Sequence, residues 1–229
     1  MIIAGIQKSS LVDYPGLVSC VLFTPGCNYD CFYCHNRFLL SGPHEILNLN
    51  SIYAFLKKRV GLLDAVVVTG GEPTLQPDLI ETLKSLHEMG YQVKLDTNGS
   101  NPKVVSNVLE SGVCSYFAVD YKAPASRYKE ICGPDADAEK VQKTVNLLLQ
   151  SGVPFEIRTT VIPQLTDIDL LQMARELPVV PRWTLNRYRK PELYKPCDEE
   201  RVHVLPWTQK QIYAFAEKMS ALQPGMIMP

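Results

Sequence analysis

The chain has 229 residues, with 23 Lys and Arg against 24 Asp and Glu and a formal net charge of −1. That balance gives no global field for nucleic acid or an anionic membrane. No run approaches the roughly 18 to 20 consecutive apolar residues of a membrane span. The opening Met1-Ile2-Ile3-Ala4-Gly5-Ile6-Gln7 lacks the charged start and long apolar run of a signal peptide, so a cytoplasmic protein is expected, with no nucleic acid or membrane partner. The length suits one large α/β domain. There are seven cysteines. In a reducing compartment, an odd number with three clustered favours metal binding over a disulfide framework.

Two short runs open the chain, Ile2 to Ser9 and Ser19 to Phe23, around a Pro15-Gly16 turn signal. They read as a β-ribbon leading into a first core strand, Val18 to Phe23. Next comes Thr24-Pro25-Gly26-Cys27-Asn28-Tyr29-Asp30-Cys31-Phe32-Tyr33-Cys34-His35-Asn36. A helix would bring positions i, i+4 and i+7 to one face, but Pro25, Gly26, Asn28 and Asp30 favour a loop wrapped around a ligand. The spacing is C-x3-C-x2-C. Three thiols are one fewer than a closed tetrahedral or cubane site needs, which leaves a metal position open to a substrate.

A regular alternation follows. Leu49 to Val60 has helical periodicity and Ala65 to Thr69 reads as a buried strand. Pro77 to Met89 reads as a helix, with Pro77 suited to its first turn and Gly90 just past its end. Gln92 to Leu95, Ser115 to Val119, Phe155 to Val161 and Trp183 to Arg187 read as strands. Between and after them lie helical patterns at Pro102 to Glu110, Asp137 to Gln150, Thr166 to Leu177 and Thr208 to Leu222, with Thr166 a candidate cap. Successive βα units imply a parallel sheet with right-handed crossovers. About six strands suit a partial barrel better than an eight-stranded one. The expectation is one domain over 1–229, with 1–18 a β-ribbon extension and 188–229 a C-terminal segment ending in a helix.

Ligands in such folds sit at the C-terminal ends of the strands. The second strand ends in Thr69-Gly70-Gly71-Glu72-Pro73, the third in Asp96-Thr97-Asn98-Gly99 and the fourth in Val119-Asp120-Tyr121-Lys122. The fifth contains Arg158, and the sixth runs into Asn186-Arg187-Tyr188-Arg189-Lys190. Each has a plain alternative. Gly70-Gly71-Glu72-Pro73 is an ordinary turn sequence, Asp96 to Gly99 is a capped turn, and Asp120 and Lys122 form a surface pair. Arg158 suits a buried partner for Glu72 or Asp96. Their agreement on one rim outweighs any single motif. Cys20 and Cys114 read as packing; Cys132 and Cys197 read as loop cysteines near charge, with a role beyond structure left open.

Cys27-x3-Cys31-x2-Cys34 resembles the cluster motif of the radical S-adenosylmethionine (SAM) enzymes. The resemblance implies a partial (β/α)6 barrel and one [4Fe-4S] cluster, held by Cys27, Cys31 and Cys34 and chelated at its fourth iron by SAM. An electron, supplied by flavodoxin or ferredoxin, then cleaves SAM to methionine and a hydrogen-abstracting 5′-deoxyadenosyl radical; no catalytic residue beyond the cluster and SAM is implied. Gly70, Gly71 and Glu72 resemble the segment that receives the SAM amino group, and Tyr33 and His35 resemble residues on the adenine side. Asp96, Thr97, Asn98, Asp120, Lys122 and Arg158 resemble further SAM contacts of the glycyl-radical-enzyme activases. So does the tail Tyr33-Cys34-His35-Asn36. The opening Ser10 to Gly16 is similar to that of anaerobic ribonucleoside-triphosphate reductase activating proteins, which implies a glycyl-radical enzyme partner of that type.

Two features depart from relatives of this kind. A histidine after the sixth strand is missing, and Arg189 is the candidate to replace it. No cysteine lies between Cys34 and Cys114, so a single cluster is expected. The basic tract Arg187, Arg189, Lys190 and Lys195 reads either as a dock for the partner's loop or as a solvated face. Two other readings stand beside the activase. One is a small-molecule radical SAM enzyme resembling 7-carboxy-7-deazaguanine synthase. The other is a zinc-stabilised binding module closed by His35 or Cys197.

Overall fold

The computed structural model describes residues 1–40 and 45–227. Its strands are β1 (Gly5–Ser10), β2 (Ser19–Thr24), β3 (Ala65–Gly70), β4 (Gln92–Thr97), β5 (Tyr116–Asp120), β6 (Phe155–Val161), β7 (Trp183–Arg187) and β8 (Met226–Ile227). Its α-helices are α1 (Leu49–Lys57), α2 (Leu79–Glu88), α3 (Pro102–Ser111), α4 (Tyr128–Cys132), α5 (Ala138–Ser151), α6 (Asp167–Glu176), α7 (Glu199–Val202) and α8 (Gln209–Ser220). Strand order follows the chain, β1 through β8. β1 is antiparallel to β2, whereas β2 with β3, β3 with β4, β6 with β7 and β7 with β8 are parallel. The chain is thus the mainly parallel α/β protein that its alternating pattern implies. The last two residues of the expected 188–229 segment lie outside the described residues.

The fold divides into two compact units. The first takes Met1–Asn28, Asn36–Thr97 and Lys103–Phe117. Its centre is β3, where Ala65, Val66, Val67 and Val68 are wholly buried. A strand covered on both faces reads as an unbroken β-branched run instead of an alternating one. The opening motif is anchored in this unit. Tyr14 joins Val21, Ala65 and Val67 in one apolar cluster, and its hydroxyl meets Ser115 Oγ at 3.2 Å. Ser10 Oγ donates to the Asp13 carboxylate. The buried Lys94 ammonium donates to the Asp13 carbonyl at 2.5 Å and lies 5.5 Å from the Tyr116 ring centre. Leu11 and Val12, between these anchors, are exposed.

The second unit takes Tyr29–His35, Asn98–Pro102 and the chain from Ala118 onward. Its core joins Ile157 and Val161 of β6, Trp183 and Leu185 of β7, and buried positions of α5, α6 and α8 such as Leu148, Met173 and Ile212. Trp183 Nε1 donates to Thr159 Oγ1 at 3.0 Å, so the largest buried ring keeps its one polar atom satisfied. Thr166 caps α6 as expected. Its hydroxyl accepts from Asp169 N at 3.2 Å, and Asp169 accepts from Thr166 N at 2.8 Å, a reciprocal capping box. Gln223 closes the other end of α6, donating to the Ala174 carbonyl at 2.9 Å and accepting from Val180 N at 3.0 Å.

Some boundaries differ from expectation. The helix expected from Pro77 begins at Leu79, with Asp78 at its cap position. The Asp78 carboxylate is taken by the N-terminal ammonium of Met1, so the side chain turns away from the helix. The short α4 and α7 and the two-residue β8 carry no readable periodicity. Cys132, expected in a loop, is instead the last residue of α4 and fully buried.

Candidate active site

In the first unit, the segment after β3 is spliced onto the segment after β2. Gly71 N donates to Thr24 O, and Glu72 N to Gly26 O, each at 2.8 Å. Asn36 Nδ2 reaches Gly70 O at 3.1 Å, and Gln76 Nε2 reaches Pro25 O at 3.2 Å. A Cβ on Gly71 would stand 1.9 Å from the Gly26 carbonyl oxygen. Gly70 has φ of +122°, and a Cβ there would meet Thr24 backbone at 2.4 Å. Both glycines are therefore demanded by this backbone contact.

Glu72 has no solvent exposure. Its Oε1 accepts from Thr74 N at 3.1 Å, Thr74 Oγ1 at 2.5 Å and Thr97 Oγ1 at 2.7 Å. It caps the short 3-10 turn that starts at Pro73. Asp96 is buried too, with Lys94 Nζ 3.4 Å away. The first unit thus joins Glu72 to Thr97 in the interior, sets Asp96 beside Lys94, and lays Gly71 on the backbone that leads into Cys27. A proline directly after a capping side chain, Glu72-Pro73, is the sequence signal for that structural part.

The second unit carries half-buried charge at its strand ends. Asp120, which ends β5, receives Lys122 Nζ at 2.9 Å and Arg158 Nε at 3.1 Å. Burial works to raise the Asp120 carboxyl, but these two cations outweigh it and hold it down at about 2. Burial likewise opposes the charge on Lys122, and Asp120 and the neighbouring Tyr33 and Cys31 restore it, raising its pKa. Arg158, considered from sequence as a partner for Glu72 or Asp96, pairs with Asp120. Asn98 accepts from Ser100 N at 2.9 Å through Oδ1, an Asx turn.

The stretch Tyr29 to His35 lies in loop and turns, as the preceding Pro25, Gly26 and Asn28 and its own Asp30 predict. Tyr33 is buried, and burial raises its phenol. Burial lowers the His35 imidazole, which hydrogen-bonds the Arg189 backbone. His35 therefore meets the chain after β7, where Arg189 was the candidate to replace a missing histidine. A cavity of about 650 Å³ opens at this strand end, lined by Asn186, Arg187, Tyr188, Arg189, Pro206 and Gln209. Of the basic tract, Lys190 lies 5.2 Å from the Tyr194 ring centre and Lys195 pairs with Asp30. Arg187 and Arg189 are the two that line the cavity.

None of the three motif cysteines is in a disulfide; Cys31 is buried and Cys27 and Cys34 are half-buried. The Cys31 thiol meets Cys132, and among the described residues no three Cys, His, Asp or Glu side chains are gathered as a metal site. The donor chemistry still fits an iron–sulfur cluster. The hydrogen bond from Cys132 lowers the Cys31 thiol against the opposing effect of burial, and thiolate is the ligand form. By contrast, burial pushes Cys20 and Cys114 up to about 12, as inert packing thiols.

Comparison with known proteins agrees. The chain is 34% identical over 212 residues to a Methanocaldococcus jannaschii protein provisionally named a glycyl-radical enzyme activating enzyme, covering 87% of this chain and 83% of that one. It is 32% identical over 149 residues to a Saccharolobus solfataricus protein provisionally named a GTP 3′,8-cyclase, covering 62% of this chain but 46% of the relative. Beyond the first relative, the chain thus spans about half the length of such matches. Streptococcus suis SuiB bound to S-adenosylmethionine superposes with a TM-score of 0.66 at 13% identity, over 87% of this chain and 48% of SuiB, which marks a shared fold. No described helix is long and apolar enough to cross a membrane. The sequence profile of the radical SAM superfamily matches residues 21–177, a span from β2 through α6, and the chain belongs to that superfamily, whose cofactors are a [4Fe-4S] cluster and SAM.

Proposed function

We propose that this radical SAM enzyme is an activase that abstracts a hydrogen atom from a backbone glycine of a glycyl-radical enzyme of the anaerobic ribonucleotide reductase type. The observation that carries the activase reading is the 34% identity extending over 87% of this chain and 83% of a relative named as a glycyl-radical enzyme activating enzyme; the reductase type rests on the resemblance of the Ser10 to Gly16 opening alone. Cys27, Cys31 and Cys34 would hold the cluster. Bound together, cluster and SAM supply a one-electron cleavage that generates the abstracting radical.

The protein's own part is to bind, orient and exclude. The Asp120–Lys122–Arg158 triad offers a fixed pattern of one anion and two cations to the amino acid and ribose groups of SAM. Tyr33 and His35 would flank its adenine. A backbone glycine has no side chain to grip, so specificity must come from flanking peptide. The cavity beside Arg187 and Arg189 has the size and polarity to take carbonyl or acidic groups of such a segment. Flavodoxin or ferredoxin would deliver the electron.

A small-molecule radical SAM enzyme is the second reading, favoured by the 32% identity to the Saccharolobus solfataricus relative named as a GTP cyclase. Electron paramagnetic resonance (EPR) on anaerobic mixtures with candidate glycyl-radical enzymes separates the two. The activase produces the glycyl doublet on the partner. Rapid turnover of a pterin or nucleotide, with no radical on any partner, rejects it.

A further inference from the structure

Cys132 stands outside the three-cysteine motif, yet the fold brings it to the cluster loop. It closes α4, and its carbonyl accepts from the Asp30 amide at 2.8 Å, one residue before Cys31. Gly133 follows with φ of +99°, and a Cβ there would lie 3.2 Å from Asp30 N. Tyr29 also packs edge-on against Tyr128 of α4, their ring centres 6.2 Å apart. The end of α4 is thus laid backbone-to-backbone on the loop. Within that contact the Cys132 and Cys31 side chains hydrogen-bond to one another, Cys132 fully buried and Cys31 7% exposed. A buried cysteine commonly serves as a small apolar group. Alanine would fill nearly the same space, but it carries no S–H to give a neighbouring sulfur.

We propose that Cys132 is a positioning residue for the cluster, its S–H donating to the Cys31 sulfur and raising the cluster's reduction potential. One-electron reduction, with the electron from an external donor, adds negative charge that spreads onto the coordinating sulfurs. A hydrogen bond to such a sulfur stabilises the reduced state more than the oxidised one. The inference rests on Cys31 being a cluster ligand. It does not depend on which substrate or partner the enzyme serves.

The test is an EPR-monitored redox titration of the anaerobically reconstituted full chain, with iron content measured alongside and neither SAM nor partner present. Cys132→Ala is expected to keep its iron. At a fixed donor potential its reduced-to-oxidised ratio should fall about threefold to tenfold, a midpoint lower by about 30 to 60 mV for a one-electron couple. Cys132→Ser retains an O–H donor and should stay within about threefold of the parent ratio. An alanine midpoint equal to the parent's, a serine midpoint displaced as far as alanine's, or loss of iron from both variants would each overturn the proposal. Cys31→Ala tests the underlying assignment separately. If that variant keeps a full cluster with Cys132 intact, the ligand reading fails, whatever the Cys132 variants do.

Discussion

The two units use similar sequence signals for opposite ends. In the first, Glu72 sits after a strand, as a ligand-binding carboxylate would, yet it is sealed from solvent and satisfies one amide and two hydroxyls. In the second, Asp120 stands at the end of β5, but its side chain is 32% exposed and faces two cations. One carboxylate is spent on neutral donors in the interior; the other stands in a half-exposed charged triad, where the proposed function places a SAM contact. What separates them is exposure: both carboxylates are hydrogen-bonded within the protein, but only Asp120 and its cations keep a face that another molecule can reach.

The largest break in that contrast comes from Gly71→Ala. Its Cβ has no room beside the Gly26 carbonyl, so the splice must open. A loss of roughly 3–5 kcal/mol is expected in urea unfolding of the apoprotein, with failed iron uptake. Parent-like stability would show that the Gly26 carbonyl yields instead. Glu72→Ala comes next. It strands two threonine hydroxyls and an amide in the interior and should cost about 2–3 kcal/mol, while Glu72→Gln, which keeps a carbonyl acceptor, should cost less. Should Glu72→Gln weaken SAM binding with stability intact, Glu72 belongs with Asp120 and the contrast collapses.

Asp120→Ala should behave in the opposite sense. SAM affinity measured calorimetrically on the loaded protein should drop about tenfold, the scale of one charge-assisted hydrogen bond, with iron content unchanged. Loss of the cluster in that variant would make Asp120 a folding residue. The smallest effect is on acid stability. The Asp120 carboxyl is held at about 2, below its ordinary 3.8. The stability it contributes is therefore complete above pH ~4 and is lost as pH falls from there toward 2. Allowing for solvent screening, the parent apoprotein should lose roughly 1–2 kcal/mol more than Asp120→Asn across that window. Parallel acid-unfolding curves would refute the pairing.

The parallel α/β layout was legible because its elements carry strong local signals. Ala65 to Val68 is a short, β-branched-rich apolar run, and Thr166 opens its helix as a recognisable cap residue, though its partner Asp169 emerged only from the structure. The cysteine loop was legible as a loop from Pro25 and Gly26. What stayed hidden depends on distant partners. That Glu72 serves Thr97 is a contact 25 residues apart, and the pairing of Arg158 with Asp120 spans 38. Cys132 could not be placed because α4, at five residues, is too short for its periodicity to register. The glycines of Gly70-Gly71 were read as admitting a ligand; their physical necessity here is the carbonyl of Gly26.

The most direct test is anaerobic reconstitution followed by reduction, with EPR recorded before and after SAM is added. About four irons per chain and a reduced-cluster signal that changes shape on SAM binding are expected if three cysteines leave one iron open to SAM. A colourless protein carrying stoichiometric zinc, or a cluster signal indifferent to SAM, would contradict it.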